Sequence, residues 1–174
     1  MPERALLIID LLEDFISPGG ALTLGAAGER ACAAAGRALT EWRLSGGLVI
    51  HLTDAHRPDD PEFAVWPVHC VVGTTGAKIR PEVTPQSGEL VLPKQHFSAF
   101  YQTELDETLR QHQVRSVTLC GVCTNICVLY TAADAQMRGF AIEVLADACA
   151  GTTREAHQFA LGEMESTLGA GILR

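Results

Sequence analysis

The stretch "SVTLCGVCTNICVLYTAADAQMRGF", residues 116–140, passes from a short apolar run into a longer run that ends at Gly139. The first part, residues 116–121, predicts a buried strand, and residues 124–138 predict a helix. A strand followed directly by a helix is the repeating unit of a parallel sheet. The same stretch holds three of the six cysteines, Cys120, Cys123 and Cys127, whose roles have to be separated.

The alternation continues along the whole chain. Apolar runs predict strands at 5–10, 48–54, 89–94 and 141–147, with a short last one at 170–173. Helical patterns lie at 28–46, 104–113 and 153–166. Near-continuous apolar strands alternating with helices predict an α/β fold: one three-layer α/β/α domain over residues 1–174 with a mostly parallel central sheet. The Pro- and Gly-containing segment 55–88 has no periodicity and is longer than an ordinary loop, so we expect it to be functional.

The composition and net charge of the chain argue against several classes of function. Hydrophobic residues make up 47% and charged residues 20% of the chain, which is typical of a globular protein. The net charge of −8 argues against a nucleic-acid partner. No apolar run reaches membrane-spanning length, and the N-terminal residues lack the layout of a signal peptide. We therefore expect a soluble, cytoplasmic protein without a membrane partner.

Four residues whose side chains can take part in acid–base or nucleophilic catalysis end or follow predicted strands. Asp10 ends the first strand, Asp54 the second and Lys94 the third, while Cys127 lies just past the fourth. Ligands of parallel sheets bind outside the carboxyl ends of the strands, so these side chains are predicted to meet at one edge.

The cysteines differ in their predicted surroundings. Thr124 or Asn125 is predicted as the N-cap of the helix, which puts Cys127 in its first turn, where the helix dipole lowers a thiol pKa. Cys120 closes a buried strand and is predicted to be packing. A thiol redox protein remains an alternative, through the C-x-x-C pair Cys120 and Cys123 or through Cys123 and Cys127.

A nucleophilic cysteine needs a proton acceptor and a group that stabilises negative charge. Asp10 can accept the proton if burial raises its pKa, and Lys94 can stabilise charged intermediates. The set of Asp10, Lys94 and Cys127 therefore indicates amide or acyl chemistry.

The irregular segment contains candidate metal ligands with the spacing D-x-H-x5-E-x6-H. Carboxylates and imidazoles are ligands for zinc, manganese or iron, although such residues in a polar loop are often only solvated. The candidates are Asp54, His56, Glu62 and His69. His51 lies inside the second strand and is predicted to point away from them.

Four motifs carry a resemblance to a known family. They are "IIDLLEDF" with Asp10, "LPKQHFSAF" with Lys94, "GVCTNICV" with Cys127, and "WPVHCVVGTTGA" at residues 66–77. Together they resemble the isochorismatase-like cysteine hydrolases, and the last is similar to a stretch typical of the nicotinamidase group. One departure is Asn125, where nicotinamidases commonly carry aspartate.

The resemblance implies an amidohydrolase that converts nicotinamide to nicotinate and ammonia through a Cys127 thioester, acts also on pyrazinamide, and serves NAD salvage. Asp10 would take the thiol proton, and backbone N–H groups of Cys123 and Cys127 would hold the oxyanion. The Val122–Cys123 peptide would be cis. Phe15 and Trp66 match the aromatic residues that sandwich the substrate ring.

The resemblance also implies one divalent metal ion, with zinc expected first and iron or manganese as alternatives. Its ligands would be Asp54, His56 and His69, with Glu62 the least secure. A homo-oligomer is expected. The main alternative is another hydrolase of the same superfamily, acting on a different small amide or vinyl ether.

Overall fold

The structure is a computed structural model that describes residues 3–174; the first two residues of the predicted domain lie outside it. Six strands form one sheet: β1 Arg4–Ile9, β2 Leu48–Asp54, β3 Leu90–Lys94, β4 Ser116–Val122, β5 Ala141–Ala150 and β6 Gly171–Leu173. The α-helices are α1 Glu13–Ile16, α2 Gly25–Leu44, α3 Leu105–Gln111, α4 Leu129–Met137 and α5 Arg154–Ser166.

The sheet has the strand order β3-β2-β1-β4-β5-β6, and each neighbouring pair is parallel. The predicted α/β fold is confirmed, with a sheet that is parallel throughout rather than mostly so. The strand order reverses between β1 and β4, and such a reversal opens a crevice at the carboxyl ends of the two strands. Asp10 follows β1 and Cys127 follows β4 at that crevice.

Helices cover both faces of the sheet, as the apolar strands require. Helix α2 places Ala31, Cys32, Ala35 and Leu39 against one face, at the spacing that puts them on one side of a helix. Helices α3, α4 and α5 pack into the core on the opposite face. No helix in residues 3–174 is long and apolar enough to cross a membrane.

Several element boundaries differ from the sequence prediction. Helix α2 begins three residues earlier than expected, at Gly25. Strand β5 continues to Ala150, because its pairing with β4 resumes at Gly121 after a shift in register. The short helix α1 was not predicted, since four residues are too few for a periodic signal. The 55–88 segment contains two 3-10 turns, Pro61–Ala64 and Pro81–Val83.

The predicted helix after β4 is divided. Its first part, Thr124–Val128, is π-helical and leads directly into α4. Cys127 therefore lies in a wider turn than an α-helix would give it, and such turns are frequent at functional sites.

Candidate active site

Asp10 occupies the sharp exit from β1. Its backbone has a φ of 52°, an uncommon value for a residue other than glycine, and its side chain is fully buried. Its Oδ1 accepts a hydrogen bond from the Asp54 amide at 2.8 Å, and its Oδ2 pairs with Lys94 Nζ at 2.7 Å. The ends of β1, β2 and β3 are thus tied together through one carboxylate.

Lys94 is the centre of this arrangement. Its ammonium group pairs with both Asp10 and Asp54, and it lies 3.1 Å from the His96 carbonyl oxygen. It also lies 3.5 Å from Cys127 Sγ. The structure therefore brings together the four side chains that sequence analysis placed at one sheet edge.

The charges at this edge move the pKa of Asp10 toward neutrality. Burial and the nearby Asp54 carboxylate raise the pKa of Asp10 to about 7, although Lys94 acts in the opposite direction. Burial alone would lower the pKa of Lys94, but Asp10 and Asp54 raise it well above its ordinary value. Asp10 can accordingly exchange a proton near neutral pH while Lys94 stays charged.

The predicted lowering of the Cys127 pKa is wrong. Burial raises the pKa of this thiol well above its ordinary value, and Lys94 offsets only part of the effect. The thiol is 6% exposed, and desolvation of the thiolate outweighs the field of one helical turn. Ionisation of Cys127 therefore depends on a neighbouring base.

The predicted N-cap is also wrong. The residue at the cap position is Cys123, and the side chains of Thr124 and Asn125 bind elsewhere. Thr124 Oγ1 lies 2.8 Å from His157 Nδ1, and Asn125 exchanges hydrogen bonds of 3.1 and 3.0 Å with Thr152. These contacts link the turn that carries Cys127 to helix α5 and to the connection between β5 and α5.

The turn itself has the backbone geometry that the resemblance implied. The peptide bond between Val122 and Cys123 is cis. The Cys123 carbonyl accepts from the amides of Ile126 at 3.0 Å and Val128 at 3.2 Å, and not from the Cys127 amide between them.

Three of the four candidate metal ligands converge. Asp54, His56 and His69 offer ligand atoms within 4.8 Å of one another, and all three residues are buried. Glu62 lies at the rim of this group, with Oε1 4.0 Å from His69 Nε2. His51 belongs to a different contact, 3.2 Å from Glu89, as its position inside β2 predicted.

The two histidines are oriented as metal ligands. His56 Nδ1 lies 3.0 Å from Asp60 Oδ2, and His69 Nδ1 lies 2.7 Å from the Pro67 carbonyl oxygen. These contacts fix the rings and turn each Nε2 inward, which is how outer groups position histidine ligands. Within residues 3–174, His56 Nε2 is buried and has no hydrogen-bond partner. The donor set therefore fits a divalent cation.

A second group, Asp10, Asp54 and Cys127, meets the same distance condition. The Lys94 ammonium already contacts all three of its members. Because a positive charge is present among these ligands, this group does not form an independent metal site.

One cavity of about 370 Å³ connects the thiol to the metal-ligand group. Cys127 and Cys123 lie on its wall, as do Asp54, Glu62 and His69. Phe15 and Trp66, predicted from the resemblance, also line it. Further residues that the sequence did not indicate also line the cavity: Leu22, Leu24, Phe97, Ile126 and Thr152. Their segments are far apart in the chain and carry no local chemical signal.

The remaining thiols give no support to a redox pair. All six cysteines are free and buried, and Cys120 packs in the core beside α2 as predicted. Burial raises the pKa of Cys123 to about 12, so this thiol is less ionised than an ordinary cysteine.

Comparison with known proteins places the chain in a family. The isochorismatase domain matches residues 4–173. The chain belongs to the isochorismatase family. The predicted hydrolase of this family is thereby confirmed, and it is an amidohydrolase.

Relatives of stated activity are similar over nearly their full length. The chain is 32% identical to the nicotinamidase/pyrazinamidase of Mycobacterium tuberculosis, covering 94% of this chain and 95% of the relative. It is 34% identical to the maleamate amidohydrolase of Pseudomonas putida, with coverages of 98% and 83%.

Solved structures agree with the described fold. The nicotinamidase of Bacillus subtilis superposes with a TM-score of 0.94 at 31% identity and 99% coverage of both chains. The pyrazinamidase of Pyrococcus horikoshii in complex with zinc gives 0.93 at 33% identity, again with 99% of both chains covered.

Proposed function

We propose that this enzyme is a metal-dependent nicotinamidase that hydrolyses nicotinamide to nicotinate and ammonia and also deamidates pyrazinamide. The observation that carries the proposal is the cavity, which joins the Cys127 thiol to Asp54, Glu62 and His69 and has Phe15 and Trp66 on its walls. A small heteroaromatic amide has a ring that fits between aromatic walls and a carboxamide that can reach the thiol.

Asp10 acts as the general base for Cys127. Its pKa of about 7 matches the operating pH, and the raised pKa of the thiol explains why a base is needed. The Cys127 proton passes to Asp10 as Sγ forms a bond with the amide carbon. Lys94, which touches both groups, stabilises the thiolate as it forms.

The oxyanion that results is held by the backbone amides of Cys123 and Cys127. The Cys127 amide lies in the π-helical turn after β4, and the Cys123 carbonyl accepts hydrogen bonds from the amides on either side of it. Asp10 then returns the proton to the departing nitrogen, and ammonia leaves as the thioester forms. A water molecule, deprotonated by Asp10, hydrolyses the thioester and regenerates the thiol.

Asp54, His56 and His69 would hold one divalent metal ion, with Glu62 at the edge of the site; zinc is proposed first, and iron or manganese are alternatives. When bound, the ion would supply a Lewis-acid site for the pyridine nitrogen and so orient the ring. Burial opposes protonation of His56, but Asp54 and Asp60 raise its pKa to about 9. The negative charge that causes this rise also favours a cation.

The test is ammonia release from nicotinamide by the purified protein, before chelation, after chelation and after zinc is restored. We expect activity that is lost on chelation and recovered with zinc. Full activity after complete metal removal would exclude the metal role while leaving the thiol chemistry intact.

Maleamate provides the competing substrate in the same assay. It is an amide without a ring, so it cannot use the aromatic walls formed by Phe15 and Trp66. We expect kcat/KM for nicotinamide and pyrazinamide to exceed that for maleamate. A preference for maleamate would assign the enzyme to a different branch of the family.

A further inference from the structure

Asp14 lies outside the catalytic and metal-ligand groups, yet its carboxylate connects two segments that build the site. Oδ2 accepts a hydrogen bond of 2.7 Å from the amide of Cys70, the residue after His69. Oδ1 accepts one of 3.2 Å from the Ala21 amide, in the loop that forms one cavity wall. One side chain therefore holds both a metal-ligand turn and a wall of the cavity.

The main chain of Asp14 strengthens the same connection. Its carbonyl accepts from the Leu22 amide at 3.0 Å, and its amide donates to the Gly76 carbonyl at 3.0 Å. The neighbouring residue Phe15 lines the cavity, and its ring contacts the His69 ring at 5.6 Å between centroids. Asp14 thus joins three chain segments around His69.

The turn that carries His69 needs such support. Cys70 has a φ of 45°, in a region that residues other than glycine seldom adopt. The Cys70 carbonyl accepts from the His56 amide at 3.1 Å, which holds the turn on one side. The Asp14 carboxylate holds it on the other side through the Cys70 amide.

Gly76 shows that this placement of the carboxylate is built into the sequence. A Cβ at position 76 would overlap the Asp14 carboxylate, so only glycine leaves room for it. The contact explains a glycine within the stretch "WPVHCVVGTTGA" that neither the chemistry nor a turn with positive φ requires.

We propose that Asp14 is a positioning residue that fixes His69 for metal binding and so sets the metal affinity of the site. The inference rests on the proposed metal site. The Cys70 amide donates one hydrogen bond to the Asp14 carboxylate, which holds the backbone of the turn that carries His69. Asp14 therefore acts on metal binding through this turn and not as a ligand.

The experiment measures the zinc and manganese dissociation constants of metal-free protein by competition with a chromophoric chelator. Two variants disturb the same contact from opposite sides. Asp14→Asn removes one charged acceptor, and Gly76→Ala places a methyl group where the carboxylate lies. Asp59→Asn is the matched control, because Asp59 is exposed in the loop after β2 and, among residues 3–174, its side chain pairs with Arg57 alone.

We expect the dissociation constant to rise about 10- to 100-fold in both variants, as for other outer groups of metal sites, and to stay unchanged in Asp59→Asn. The double variant Asp14→Asn/Gly76→Ala should bind no more weakly than the weaker single variant, because both changes remove one contact. At saturating metal, kcat should remain within a few-fold of the original protein.

Thermal unfolding of the metal-free proteins distinguishes an effect of Asp14 on metal affinity from an effect on overall stability alone. Variants that lose thermal stability but keep the original dissociation constant would overturn the proposal. Additive losses of affinity in the double variant would do the same. If the original protein binds neither ion, the proposed metal role fails together with this inference; if it binds metal but leaves nicotinamide intact, only the proposed substrate fails.

Discussion

Strand β2 contributes to two clusters of ion pairs that differ in burial, in net charge and in access to the cavity. At its carboxyl end Asp54 joins Asp10 and Lys94, here called the edge cluster. Three residues earlier, on the opposite side of the sheet, His51 joins Arg43 and Glu89, here called the Arg43 cluster. The edge cluster reaches the cavity through Asp54, whereas no member of the Arg43 cluster lines it.

The charges within the two clusters balance differently. In the Arg43 cluster, the guanidinium donates to both oxygens of Glu89, at 2.6 and 2.8 Å, and lowers the pKa of that carboxyl to about 2. In the edge cluster, two carboxylates share one ammonium, and burial together with the Asp54 carboxylate raises the pKa of Asp10 to about 7. The edge cluster therefore combines deep burial, surplus negative charge and access to the cavity, and this combination marks a candidate catalytic cluster.

The largest expected effect is the loss of activity when the Cys127 thiol is removed. Cys127→Ala should lower kcat for ammonia release by about 10⁴-fold or more, because it removes the thiol that contacts Lys94 at the cavity wall. The thermal unfolding temperature should change little, since the substitution removes one small atom. A variant that retains substantial activity would disprove the nucleophile assignment.

Removal of the shared cation tests the edge cluster. Lys94→Met should lower the free energy of unfolding by about 3–5 kcal/mol, because it leaves Asp10 and Asp54 buried without a partner charge. Urea denaturation measures the change. Lys78→Met is the matched control, because the side chain of Lys78 is exposed and it is the other lysine of the chain. Equal stabilities for the two variants would contradict the account of the cluster.

The same kind of change in the Arg43 cluster should affect stability alone. Glu89→Gln weakens the pairing with Arg43 and His51, and we expect a loss of about 1–2 kcal/mol after allowance for partial solvent screening. Both kcat and KM should match the original protein. If the folded Glu89→Gln variant has a clearly lower kcat, the Arg43 cluster also affects catalysis, and the proposed difference between the two clusters is wrong.

The smallest expected effect is the pH dependence of the stability that Glu89 contributes. The pKa of Glu89 is lowered from 4.5 to about 2, so its contribution to stability is present above pH 4.5 and is lost as pH falls toward 2. The difference in unfolding free energy between the original protein and Glu89→Gln should shrink over that interval. Measurements of urea denaturation at several pH values in this range provide the test; a constant difference would argue against the lowered pKa.

The sequence predicted the fold and the convergence of Asp10, Asp54, Lys94 and Cys127 because parallel strands align their carboxyl ends. That rule requires only strand order along the chain and the residue after each strand. The residue spacing and the family resemblance predict the candidate metal ligands, and the structure brings Asp54, His56 and His69 together. The chemical roles of these residues stay predictions.

Other features depended on tertiary contacts that local patterns do not contain. The N-cap prediction failed because Thr124 and Asn125 bind His157 and Thr152, which come later in the chain. The pKa of Cys127 was predicted in the wrong direction because the helix dipole was considered without the desolvation that burial imposes. Asp14 carries no local chemical signal, since its carboxylate accepts from backbone amides of the following loop and of the distant turn at Cys70.

The central claim is that Cys127 attacks the amide carbon with Asp10 as its base. The most direct measurement is mass spectrometry of the enzyme quenched in acid during turnover of nicotinamide, followed by peptide mapping. The account predicts a nicotinoyl group on the peptide that contains Cys127, absent from Cys127→Ala and reduced in Asp10→Asn. Ammonia release at full rate without any acyl group on Cys127, or with one on another residue, would contradict it.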